Sequence, residues 1–371
     1  MTLVYLDHNA TTPLCSAAAD AMARAREDGW GNPSSVHRAG RAARRYLDDA
    51  RAEVAALAGV SDRDVVFTSG GTEANNLALR RIERGGTLVT SALEHPSVVA
   101  TARAMEADGV TVVWLPVPAD GRLLEAEVGA ALRRAARPCL LSMHAAHHET
   151  GALQPVTELV ALAHALGAEV HVDAVQAAGR VPPESWRGAD SVALASHKLR
   201  GPKGIGALAH LPGKGPRPVL WGGPQERGLR PGTQDAIAAA GFGAAARRAR
   251  EGGSARYQAL APLRDAAEAA ALALGARRTT PAPRAPHVAH LLVDAISGDA
   301  LVAALDLEGV CVSSGSACAA GTAEPSPAIT AMLGADAAAH SLRVSLGETT
   351  TPEDIDAFAA ALARVVARSL K

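Results

Sequence analysis

The chain has 371 residues, 48% of them hydrophobic, enough to bury a large core and too many for a disordered or fibrous protein. Lysine plus arginine (37) nearly equals aspartate plus glutamate (38), so no global field exists to hold nucleic acid or an anionic membrane. Domains of ~100 to 200 residues divide such a length into two.

The opening residues carry neither the basic start nor the apolar stretch of a signal peptide, and no run of about 18 apolar residues follows. The four cysteines, Cys15, Cys139, Cys311 and Cys318, form no C-x-x-C pair, and no disulfide framework is indicated. A cytoplasmic protein with reduced thiols is expected.

Short β-rich runs alternate with alanine- and leucine-rich runs through the first two thirds, the rhythm of βαβ units. Strands are predicted at 65–68, 87–91, 110–115, 139–144, 169–173, 191–195 and 205–210, with helices at 72–84, 97–108, 123–134 and 156–166. Strands this apolar are buried on both faces of a sheet, so the fold class is α/β with a mainly parallel seven-stranded sheet. At 214–232 glycine and proline break the pattern into a long loop. Beyond Gly243 alanine-rich helix dominates, followed by a strand at 287–293 and a helix at 299–308, a smaller α+β domain.

Chemistry is concentrated at strand ends. In SVALASHKLRGPKGIG (191–206) an apolar strand ends at His197 and Lys198 before a glycine-rich turn, a position suited to a lysine that bonds an aldehyde cofactor. A lone lysine is ordinarily a solvated surface residue. The strand at 169–173 ends in Asp173, in HVDAVQ; alone it reads as a helix cap, but as a strand-terminal carboxylate it suits a pyridinium nitrogen. FTSGGTEANN (67–76) runs from a strand through Gly70 and Gly71 into a helix with Thr72 in its first turn, which would aim backbone N–H groups at a phosphate. Each signal is weak alone; together they favour a cofactor.

At this point the sequence resembles a family: the class V, fold type I pyridoxal 5'-phosphate (PLP) enzymes, and among them the cysteine desulfurases of iron–sulfur cluster assembly. The matching stretches are YLDHNATT (5–12), GNPSSVHRAG (31–40), FTSGGTEANN, EHPSVV (94–99), HETG (148–151), HVDAVQ, SHKLRGPKGIGAL, GGPQERGLRPGT (222–233), SSGSACAAG (313–321) and LRVSLG (342–347). The resemblance implies a large PLP-binding domain at 13–243 and a small domain formed by 1–12 and 244–371. Lys198 would tether the cofactor aldehyde and remove the substrate α-proton. Asp173 would pair with the ring nitrogen, His95 would stack on the ring, and Gln176 would reach the phenolic oxygen. Gly71, Thr72, His197 and Ser196 would lie at the phosphate end, and Thr233 would reach the phosphate of the other subunit of a homodimer. Arg343 would clamp the carboxylate of L-cysteine in a bidentate fork. Cys318, in a stretch of small residues, would take the sulfur as a persulfide, leaving L-alanine, and pass it to an acceptor protein such as an iron–sulfur scaffold or a tRNA-thiolation enzyme. The rival within the fold is a selenocysteine lyase or other carbon–sulfur lyase, which would turn over without Cys318. A scaffold without catalysis is the rival outside it, opposed by Lys198, Asp173, Arg343 and Cys318 together.

Three departures from the family pattern stand out. His147 and His148 replace two asparagines; His148 is expected to take the second asparagine's bond to the phenolic oxygen, near the substrate, and to titrate near neutrality. With His144 the pair also suggests a metal, but a strand end gives no helical ligand spacing, so no metal is expected. Ala195 holds the usual serine position with Ser196 beside it, and His8 replaces an asparagine without a physical account from sequence.

Overall fold

The structure is a computed structural model that describes residues 3–281, 283–315 and 325–369. Seven strands form one sheet in the order Val65–Thr68, Gly206–His210, Ser191–Ala195, Glu169–Asp173, Cys139–His144, Thr87–Ser91 and Thr111–Leu115. Gly206–His210 runs antiparallel to both neighbours and the other pairings are parallel. The five inner strands are buried except at the half-buried Glu169, as unalternating apolar runs require. Register places His144 opposite Asp173 and Asp173 opposite Ala193, so chemical residues gather at the carboxyl ends of adjacent parallel strands.

The expected helix at 72–84 is shorter, Gly71–Leu79, because Gly85 and Gly86 follow closely and the chain turns before them. Two helices absent from the expectations, Ser16–Asp28 and Arg38–Ala58, pack on Ala236–Arg250. That last helix runs unbroken through position 243, with Ala245 and Ala246 in the large core, so the chain does not leave the large layer at the expected boundary. The 214–232 region holds a short 3-10 turn, Gln225–Gly228. Glu226 fixes it: the buried carboxylate takes two bonds of 2.7 Å from Arg51 and one from Phe67 N.

The C-terminal part builds an antiparallel sheet of Ser341–Ser345, Val288–Leu292 and Arg277–Arg278 under helices Ala261–Leu272 and Pro352–Ser369. Its core takes in Val4 and Leu6, because Val4–Tyr5 pairs in parallel with Val310–Cys311. The N-terminal segment thus crosses from this core to the strand ends of the large sheet.

Candidate active site

At those strand ends lies a cavity of about 200 Å³. Lys198, Asp173, Gln176 and His95 line it, as do Gly71, Thr72, His197, His148 and Arg343. The structure brings together nearly all the residues singled out from sequence. Ser196 does not join them: it is fully buried, and the Gly201 backbone lies so close that a Cβ there would sit 2.1 Å from Ser196 Oγ. Ala195 lines the cavity in its place. Thr233 is exposed, away from this cavity. Cys318 lies outside the described residues.

Lys198 Nζ donates to Ala10 O at 2.7 Å and also to Asn9 O, so the N-terminal segment holds the amine at the cavity. Asp173 is held from two sides. Its Oδ1 accepts from Val175 N at 2.9 Å and its Oδ2 from Asn75 Nδ2 at 2.8 Å. Asn75 also donates to Ser97 Oγ and accepts from His171 Nε2 at 3.0 Å. Burial lowers the pKa of His171 to about 4, so the ring is neutral, and with Nε2 donating, its Nδ1 accepts from Ser191 Oγ. Asn75 and His171 were missed from sequence. Asn75 lies one helical turn after Gly71, on the same face, which is the signal that points to it.

The Gly71–Leu79 helix begins against the Asp173 strand's exit: a Cβ on Gly71 would meet Val175 Cγ2 at 2.7 Å. Only glycine permits that approach, and it leaves the helix start with Thr72 facing the cavity, a place for an anion. His197 completes that end, its Nδ1 3.1 Å from Thr11 Oγ1, with its pKa lowered to about 4 mainly by burial.

His95 caps the helix Pro96–Ala107 by accepting Ser97 N–H at Nδ1, 3.1 Å away. Its Nε2 therefore carries the hydrogen of the neutral ring, and burial lowers its pKa. His148 meets His95 edge to face at 5.4 Å between ring centres. Burial, then the proximity of His95 and Arg343, holds His148 well below its ordinary pKa, so the expected titration near neutrality is corrected: this imidazole is neutral there.

His147 has a structural explanation. Its Nδ1 accepts from Thr150 N at 3.0 Å and Glu149 N at 3.3 Å, so it caps the 147–151 turn as an asparagine oxygen would. His147, His148 and Glu149 bring ligand atoms within 4.8 Å of one another. Because His147 Nδ1 accepts backbone N–H, its Nε2 bears the hydrogen and is not a lone-pair donor, which argues against a metal there. His8 is explained too. Its ring packs edge-on against Tyr5 and over Gly347, where a Cβ would lie 2.2 Å from Nδ1.

Arg343 departs from a waiting fork. It is 1% exposed, and its guanidinium is divided between Asp7 Oδ1 at 2.6 Å and His148 O at 3.1 Å. Arg180, also missed, is fully buried beneath Lys198 and donates to Asn9 Oδ1, Gln176 Oε1 and Lys198 O. No local pattern announces it, since its partner Asn9 is 171 positions away.

A sheet of this order with an amine and a carboxylate at adjoining strand ends is the framework of the fold type I transferases. The family model for class-V aminotransferases matches residues 4–358. A cysteine desulfurase of Cereibacter sphaeroides is 42% identical over 99% of this chain and 96% of its own length. The cysteine desulfurase NifS of Azotobacter vinelandii is 37% identical over 96% of this chain and 90% of its own. A solved NifS-like protein superposes with a TM-score of 0.90 at 29% identity, covering 99% of this chain and 100% of that one. The chain belongs to the class-V aminotransferase family, and its activity is cysteine desulfuration.

Proposed function

We propose that the cavity holds pyridoxal 5'-phosphate tethered to Lys198, and that sulfur from L-cysteine passes to Cys318. The observation that carries this is the convergence of Lys198, Asp173 and Arg343 on one cavity. The fit is supported by a carboxylate fixed by two donors, which suits a pyridinium N–H, and by a helix start at Gly71 and Thr72, which suits a phosphate.

When bound, the cofactor draws electrons from the substrate's Cα and so makes its Cα–H and Cβ–Sγ bonds breakable. The protein's own residues do the rest. Lys198 Nζ takes the α-proton, and Asp173 keeps the ring nitrogen protonated. His95 would cover the ring and, through Nε2, donate or retrieve a proton in the cavity. Gln176 and His148 would meet the phenolic oxygen, and Thr72, Gly71 and His197 the phosphate. Arg343 receives the substrate carboxylate by exchanging it for Asp7. Cys318 Sγ bonds to the substrate Sγ as the Cβ–Sγ bond breaks. The electron pair stays with Cβ, which takes a proton to become the methyl of L-alanine, and the persulfide keeps the sulfur.

The exposed Leu220 (52%), Trp221 (88%) and nearby Thr233 support a homodimer in which Thr233 reaches a second copy's phosphate end. The persulfide is then passed to an acceptor protein of iron–sulfur assembly or tRNA thiolation, in a reducing cytoplasm where such thiols persist. Among the described residues no helix is long and apolar enough to cross a membrane. The test is borohydride reduction of the PLP-loaded protein followed by peptide mapping. The cofactor mass is expected on the Lys198 peptide, and its appearance on another lysine, or on none, overturns the assignment.

A further inference from the structure

Glu149 is a buried carboxylate to which none of the roles above belongs; it is 1% exposed. Its Oε1 accepts from Ser326 Oγ at 2.7 Å and lies 3.3 Å from His148 Nε2. Its Oε2 faces Gly315, where an added Cβ would come within 3.2 Å, and has no hydrogen-bond partner among the described residues. Gly315 and Ser326 flank the stretch of sequence that carries Cys318. One carboxylate therefore bonds one flank of that stretch, faces the other and lies beside the histidine in the cavity wall.

The surroundings make this a fixed point. Ser313 Oγ donates to Gly315 O at 2.7 Å, and Ser313 N and O pair with the backbone of Arg343. Arg343 Nη1 in turn donates to His148 O. On the other flank, Ser326 Oγ also accepts Ile329 N–H and caps the helix Pro327–Leu333. Both flanks are thereby placed relative to the substrate's carboxylate partner and to His148. The hydrogen bond from Ser326 Oγ to this buried carboxylate holds position more firmly than an exposed one would.

The geometry points to Glu149 as a positioning residue for sulfur transfer: through Ser326 and Gly315 it sets where the Cys318 stretch begins and ends relative to the cavity. This inference rests on Cys318 being the sulfur acceptor. Glu149 acts through its neighbours, so substrate binding should be spared while transfer slows.

The experiment compares wild-type PLP-loaded protein with Ser326→Ala, Ser326→Gly and Ser326→Thr. The cofactor absorbance change on adding L-cysteine reports binding, and single-turnover mass analysis of the Cys318 peptide reports transfer. Threonine keeps the hydroxyl and should behave as wild type. Alanine loses both the donor and the helix cap. Glycine keeps the helix start at little cost but has no hydroxyl to donate to Glu149. Both should leave the KM for L-cysteine within about two-fold and slow transfer about ten-fold, the scale of one hydrogen bond to a charged group. Normal transfer in Ser326→Gly would overturn the inference, since the bond to Glu149 would then not matter. So would a parallel loss of binding and transfer in Ser326→Ala. A wild-type protein that forms L-alanine without ever gaining sulfur on Cys318 refutes the acceptor reading itself, a result distinct from either of these.

Discussion

Arg343 donates to Asp7 Oδ1 at 2.6 Å, from a side chain 2% exposed to one 19% exposed. The guanidinium proposed to take the substrate carboxylate thus already has a carboxylate partner from the N-terminal segment. Such a pair holds a buried cation without a bound ligand, and removing one partner of a buried pair leaves an uncompensated charge.

Asp7→Asn is accordingly expected to lower the stability of the unliganded protein by roughly 1 to 3 kcal/mol. L-Cysteine should recover more stability in the variant than in wild type, because its carboxylate supplies what Asp7 no longer does. The rise in Tm at saturating L-cysteine, measured in both proteins with Cys318 replaced by alanine to prevent turnover, checks this. An equal or smaller rise in the variant contradicts it.

Acid should destabilise the protein steeply. Burial lowers the pKa of His171 and His290 to about 4, and that of His147, His148 and His287 well below the ordinary value. The unfolded chain binds these protons near pH 6.5 and the folded one does not, so the stability is fully present above about 6.5 and is lost as pH falls from there toward 4. Each of His171 and His290 contributes up to roughly 3 kcal/mol over that window. Denaturant unfolding from about pH 8 to 4 measures the slope. Constant stability between about 6.5 and 5 would contradict the buried neutral assignment.

His148→Asn should alter the position of the cofactor band if the imidazole faces the phenolic oxygen. It should not move the pH profile between about 6 and 8, because His148 is already neutral throughout that range. Spectra of both proteins across that range decide the matter, and an inflection that disappears with the histidine would contradict the structure's assignment.

Glu226 and Arg51 anchor the region that carries Trp221 and Thr233. Glu226→Ala should cost about 3 to 5 kcal/mol, the scale for breaking a buried pair. Milder damage is expected from replacing both residues with apolar ones, Arg51→Met with Glu226→Leu, if their alternative partners are met. Sedimentation of the single variant should show loss of the proposed dimer. A single variant of unchanged stability contradicts the anchoring role.

The sheet was legible because its inner strands lack alternation, and its strand ends could be found because Asp173 and Lys198 each close an apolar run. Lys198, Asp173 and His95 were accessible as short motifs. What stayed hidden is held by distance along the chain. Arg180 reaches Asn9, and Asp7 reaches Arg343, 336 positions away, so neither contact leaves a periodic trace. The helix Arg38–Ala58 was missed although Ala43, Leu47, Ala50 and Val54 recur at helical spacing, because Arg51 on its buried side obscured an apolar face. His8 could not be understood until Gly347 was seen beneath its ring.

The most direct measurement is the mass of each cysteine-bearing peptide after the PLP-loaded protein meets L-cysteine, with and without reductant. A gain of one sulfur atom is expected on the Cys318 peptide, removed by reductant, with Cys15, Cys139 and Cys311 unchanged. L-Alanine produced at the wild-type rate by Cys318→Ala, or with no sulfur ever appearing on Cys318, would contradict it.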